Sequence, residues 1–147
     1  DLINAAYIAG GSKSVNPVTM DMSVIDCNTG IMHVLNGGGG YIYKGDSSVE
    51  VIKSTTLPLG VLEKVDYERV NKKLYNGDYV IMVSEALDNI PNVDKEKIFA
   101  DIINTISVKK PDAMAEEIMR KSLKYNGGKP SDDMTVLVLG LFDTYDK

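Results

Sequence analysis

Cysteine and histidine are all but absent from this chain. Cys27 is the only thiol and His33 the only imidazole among 147 residues. An internal disulfide, a cysteine-built zinc site and a two-histidine metal site are therefore excluded. A lone cysteine suits a reducing, cytoplasmic compartment. Apolar runs are short: Val136 to Leu139 is typical, against the roughly 20 residues a membrane helix needs. Positive charge is in deficit as well. Lys and Arg number 16 against 21 Asp and Glu, a net charge of −5. With no basic cluster, the chain lacks the footprint of a nucleic-acid binder or of a ligand for an anionic membrane surface. It opens Asp1-Leu2-Ile3, without methionine and without a charged-then-apolar leader. That is the pattern expected of a piece of something longer, and any membrane anchor of the parent protein would lie upstream.

What is present is ordinary for one folded domain: 44% hydrophobic and 25% charged residues, with no internal repeat and no linker. Leu2 to Ala9 reads as the end of a small-residue helix, stopped by Gly10-Gly11. Met20, Met22 and Val24 alternate with polar residues, the period of a half-buried strand, and Asn28-Thr29-Gly30 turns it back into Ile31 to Leu35. Tyr41-Ile42-Tyr43 and Val49 to Ile52 flank a turn at Gly45-Asp46. Val65 to Val70 reads as a strand, and Asn76-Gly77-Asp78 as the turn before Tyr79 to Val83, which is apolar on both faces and so expected to be covered on both. Asp94 caps a helix with Ile98, Phe99, Ile102, Ile103 and Ile106 on one face. Pro111 opens a second, with Met114, Ile118 and Leu123 as its stripe and Gly127-Gly128 as its end. Met134 to Leu141 is the last strand. Strands early and helices clustered between two buried strands predict an α+β fold, sheets packed face to face with helices outside.

Two acids sit at the ends of the most apolar strands. Glu85 follows one and Asp132 precedes the other. If those strands are antiparallel neighbours, both carboxylates meet at one rim, where hard oxygen donors suit magnesium or manganese. Acids at strand ends are more commonly solvated turn residues, so spacing alone leaves both readings open. The run Gly37-Gly38-Gly39-Gly40 lacks the following Lys-Ser or Lys-Thr of a phosphate loop and reads as a turn. His33 has no second ligand near it in sequence, and Cys27 has no basic neighbour to activate it.

Four segments in order carry a resemblance: Met20-Asp21-Met22-Ser23-Val24-Ile25-Asp26 with Asn28-Thr29-Gly30; Leu57-Pro58-Leu59-Gly60; Asn76-Gly77-Asp78 through Ser84; and Ser131-Asp132-Asp133-Met134-Thr135. Together they are similar to bacterial type 2C-like metal-dependent serine phosphatases, and within that family to its sporulation members. The resemblance spans nearly all of residues 1–147 as a single, partial phosphatase-like domain. It implies a sandwich of two antiparallel sheets flanked by helices. It implies removal of phosphate from phosphoserine or phosphothreonine by a water activated between two Mn2+ or Mg2+ ions. Asp132 then stands at a metal-ligand position, Glu85 at a second, and Asp133 beside them as a supporting residue; substrate-binding residues are not legible. The implied partner is a phosphorylated regulatory protein, an anti-sigma-factor antagonist in sporulation control.

Two departures qualify what the resemblance implies. Relatives carry Asp-Gly where this chain has Glu85-Ala86, which sets the carboxylate one methylene further out. The family's upstream Asp-Gly metal motif has no counterpart, since no Asp-Gly pair occurs in the sequence. The expectation is an incomplete metal centre with little turnover by these residues alone, and an exposed sheet edge through which copies could associate. The alternative is a catalytically degenerate module that acts by binding a partner.

Overall fold

The computed structural model describes residues 2–10, 18, 20–35, 40–52, 58–63, 69–84, 94–129 and 133–143. Three helices and seven strands occur among them: α1 (Leu2–Ala9), β1 (Met22–Asp26), β2 (Ile31–Leu35), β3 (Gly40–Tyr43), β4 (Val49–Ile52), β5 (Arg69–Lys73), β6 (Tyr79–Val83), α2 (Lys95–Asn104), α3 (Pro111–Tyr125) and β7 (Val136–Gly140). They form two compact units, residues 1–39 with 53–74, and residues 40–52 with 75–147. Each has its own antiparallel sheet, ordered β1-β2-β5 in the first and β4-β3-β6-β7 in the second. No described helix is long and apolar enough to cross a membrane.

In the first unit the β1–β2 hairpin turns where the sequence places it. The Asp26 carboxylate accepts from the amides of Asn28 (2.9 Å) and Thr29 (3.3 Å). Hydrogen bonds from the Thr29 side chain and then from these amides hold its pKa below the usual 3.8. Gly30 closes the turn at φ +65°, and a Cβ there would lie 2.7 Å from the Leu74 carbonyl oxygen. Gly30→Ala is therefore expected to lose at least about 1–2 kcal/mol from the left-handed backbone alone, read as a lower urea midpoint at unchanged slope. The Asn4 side chain, buried at the foot of α1, donates to the Leu62 carbonyl (2.9 Å) and accepts from the Gly60 amide (2.8 Å), tying the helix to the Leu59-Gly60 segment.

The face of β1 departs from its sequence pattern. Met22 and Val24 are 43% and 59% exposed, whereas Ser23 and Ile25 are half-buried. The register explains it: Ser23 and Ile25 stand opposite Val34 and Met32, the buried residues of β2. Opposite residues share a face, and a period of two does not say which face is inside when both carry apolar side chains. Of the strand expected at Val65 to Val70, residues 65–68 lie outside the described set, and β5 continues through Lys73. β5 pairs with β2, not with β6.

The second unit has the clearer core. Tyr41, Tyr43, Tyr79 and Ile81 alternate along β3 and β6 and pack with Phe99, Ile102 and Ile103 of α2 and Met114 and Ile118 of α3. Val136 and Val138 of β7 join the same cluster. Both helices thus cover one face of the four-stranded sheet, as the stripes predict. Asp94 caps α2 by accepting from the Lys97 amide (3.0 Å). Lys110 gives α3 no side-chain cap; Pro111 starts it, and Gly127 and Gly128 end it at positive φ. Burial, and then the charges of Glu96 and Asp94, push the Tyr41 phenol above its ordinary value, so it stays neutral at all ordinary pH. The opposite side of β7 shows Leu137 and Leu139 to solvent on an edge strand.

Candidate metal centre

The sequence argument required the strands around Glu85 and Asp132 to be neighbours. They are. β6 and β7 pair antiparallel from Tyr79↔Gly140 to Val83↔Val136. One further rung extends the ladder: the Ser84 amide donates to the Thr135 carbonyl (3.0 Å), and the Thr135 amide donates to the Ser84 hydroxyl oxygen (2.8 Å). The end of β6 and the approach to β7 therefore share one rim. Asp133, two residues before that rung, is described and exposed. Glu85 and Asp132 themselves lie outside the described residues, as do Ala86 and the glycines at 37–39.

The carboxylates expected from the sequence would suit a hard divalent ion by their chemistry alone. Glu85, Asp132 and Asp133 offer carboxylate oxygens only, the ligands magnesium and manganese take. Among the described residues alone, no three His, Cys, Asp or Glu side chains are gathered as if for a metal. The other candidates go elsewhere. His33 is exposed on β2, with Nδ1 2.8 Å from the Asn71 side-chain oxygen. Cys27 is exposed in the β1–β2 turn.

The opposite end of the ladder holds what the sequence reading missed. The Gly77 amide donates to the Leu141 carbonyl while the Leu141 amide donates to the Asp78 carbonyl, both within 2.9 Å. Two residues thus oppose one, and Gly77 has φ +85°, the pattern of a glycine-led bulge. The Asp78 side chain is buried there, 3% exposed. It accepts from the amides of Gly45 (2.9 Å) and Tyr75 (3.0 Å) and from Lys44 Nζ (3.5 Å). Lys44 also reaches Glu50 at 3.7 Å. These donors occupy the carboxylate, so Asp78 welds the β3–β4 turn to the start of β6. The signal was an acid opening an apolar strand, which in sequence looks like an ordinary turn residue.

Comparison with known proteins bears on the rim. A family model described as stage II sporulation protein E matches residues 3–142. The stage II sporulation protein E of Bacillus subtilis strain 168 is 28% identical over 125 residues, covering 82% of this chain and 15% of that protein. Its counterpart from Priestia megaterium is 28% identical over 127 residues, covering 84% of this chain and 22% of that one. The chain therefore spans under a quarter of the length of either relative. Among solved structures, the PP2C phosphatase domain with a fragment of the regulatory domain of the cell fate determinant SpoIIE from Bacillus subtilis superposes with a TM-score of 0.77. It is 25% identical and covers 87% of this chain and 38% of that one. Two antiparallel sheets with helices, in α+β order, is the fold of these phosphatase domains.

Proposed function

The chain belongs to the stage II sporulation protein E family, and from that premise we propose that it is the metal-rim part of a phosphatase acting on phosphoserine in a regulatory protein. The observation that supports this reading is the shared rim of β6 and β7, where Ser84 and Thr135 pair and Glu85 on one side and Asp133 and Asp132 on the other are the next carboxylates along the chain. Asp132 and Glu85 would ligate a divalent ion, with Asp133 beside them. When bound, Mn2+ or Mg2+ would polarise the phosphoryl group and lower the pKa of an attacking water.

The chain's own residues hold the rim in place. The β6–β7 ladder fixes where both segments end, and the helix-packed core behind Tyr79 and Ile81 keeps that ladder rigid. Turnover further needs the Asp-Gly carboxylate that this sequence does not contain. An anti-sigma-factor antagonist in sporulation control is the substrate the family suggests, in the cytoplasmic setting that a lone exposed Cys27 suits. Self-association through the open β7 edge belongs to the same proposal.

A net charge of −5 is a poor grip for a phosphate dianion, so the metal must neutralise it. Phosphopeptide affinity is therefore expected to depend on divalent metal and to vanish in chelator. The check is titration of a phosphoserine peptide against the chain with Mn2+ and with EDTA. Glu85-Ala86 in place of Asp-Gly favours a second reading, a module that binds its partner without catalysis. Binding of equal strength in chelator would favour that second reading over the enzymatic one.

A further inference from the structure

We propose that the outward face of the β1-β2-β5 sheet docks one amphipathic helix of a protein partner, apolar along its contact stripe and acidic along one flank. The inference goes beyond the phosphatase reading and uses none of its residues.

Register defines the face. Opposite residues share a side of the sheet, and side chains alternate along each strand. Positions 22, 24 and 26 of β1 therefore lie beside 35, 33 and 31 of β2, and these beside 69, 71 and 73 of β5. The other side of the sheet holds the buried Met32 and Val34. On the outward side every residue is exposed except the half-buried Leu35. The helix of the same unit, α1, does not pack on these strands.

The chemistry of the face changes from strand to strand. Met22 and Val24 on β1, with Ile31 and Leu35 on β2, form an apolar patch. Arg69 and Lys73 on β5 give the patch a basic border. His33 and Asn71, joined at 2.8 Å, stand between patch and border. Asp26 is the only acid at these positions, and its carboxylate accepts from the Asn28 and Thr29 amides of its own turn. The solvated face of an antiparallel sheet alternates to polar residues, and a 59% exposed Val24 is out of place on one. An apolar patch with a polar border marks an interaction site.

Charge and size select the occupant. A second copy docked through the same face would set basic border against basic border or against apolar patch, and neither is complementary. An acidic flank is complementary to Arg69 and Lys73. Neighbouring strands lie about 4.8 Å apart, so β1 and β5 are separated by about 10 Å, the width of one helix. Each strand is five residues long, about 17 Å, a length that a helix of about 12 residues covers.

The test titrates the chain in EDTA with two designed helical peptides of about 14 residues. Both carry the same leucine stripe; one has glutamate along a flank and the other lysine. The glutamate peptide is expected to bind saturably, and the lysine peptide at least about tenfold more weakly. Val24→Glu is expected to weaken the glutamate peptide about tenfold, as loss of a central contact does. Arg69→Glu is expected to weaken it about threefold, the size of an exposed ion pair, and to strengthen the lysine peptide. Leu137→Glu, in the other unit, should keep parent affinity. Thermal melting checks that each variant is folded. Absence of saturable binding by the glutamate peptide, equal binding of both peptides, or a loss in Leu137→Glu as large as in Val24→Glu would each overturn the proposal. Self-association in sedimentation that Val24→Glu abolishes would also overturn it and assign the face to a second copy. No metal enters these measurements, so their failure leaves the phosphatase reading standing.

Discussion

Replacing Asp78 with alanine is expected to cost about 3 kcal/mol of folding stability, chiefly from two amides left without their buried acceptor. The carboxylate is buried and accepts from two amides and one ammonium. Without it, the Gly45 and Tyr75 amides lose their acceptor, at about 1–3 kcal/mol for each that water fails to reach. Tyr75 is exposed, so water partly compensates there. Lys44 is left with Glu50 alone, and the 3.5 Å Lys44–Asp78 contact is too long to add much. At about 2–4 °C per kcal/mol for a chain of this size, Tm should fall by roughly 6–12 °C. Urea unfolding should show the same loss in midpoint with an unchanged slope. Asp78→Asn keeps one acceptor and should lose about half as much. A loss below about 1 kcal/mol for Asp78→Ala would show that solvent replaces the carboxylate and that the weld is weaker than its burial suggests.

Asp132→Ala should act on binding and spare folding. Hard divalent ions are held by charge and by oxygen donors at fixed distances, and the ligands proposed for the rim are carboxylates alone. Removing one takes away a full negative charge and a coordination position together. Mn2+ affinity is expected to fall about a hundredfold or more, beyond the 10–100-fold typical of residues that only orient ligands. Calorimetric titration of the folded variant measures it, with Asp26→Ala in the other unit as a control that keeps parent affinity. A fall of less than about threefold, small even for an orienting residue, would mean that Asp132 is a solvated turn residue, the commoner arrangement for an acid before a strand.

Much of the architecture was legible because its signals are local. The stripe of Phe99, Ile102 and Ile103 has one periodic solution, and the helix forms with Asp94 as its cap. Tyr79 to Val83 is apolar on both faces, which only a strand deep in a sheet accommodates, and it lies between β3 and β7. The pairing of β6 with β7 was the condition under which two acids at strand ends would share a rim, and periodicity alone could not supply it. What escaped was set by partners distant in sequence. The inward face of β1 depends on its register with β2, and Met22 and Val24 look as buriable as Ile25 until that register is known. The continuation of β5 through Lys72 and Lys73 is unmarked because these residues carry no strand signature; their place is set by pairing with β2. Asp78 is read as a turn residue, and only its hydrogen bonds to Gly45 and Tyr75 give it a role.

The central claim is that a divalent ion binds at the Ser84–Thr135 end of the β6–β7 ladder. Substoichiometric Mn2+ added to isotope-labelled protein tests it most directly, because a paramagnetic ion broadens the amide resonances nearest to it first. The account predicts that Ser84, Asp133, Met134 and Thr135 broaden first. Gly77, Asp78 and Leu141, at the other end of the same ladder, should remain sharp, with no effect in EDTA. Broadening that begins around Asp26, Asp46 or Asp78, or that spares the Ser84–Thr135 rim altogether, would contradict it.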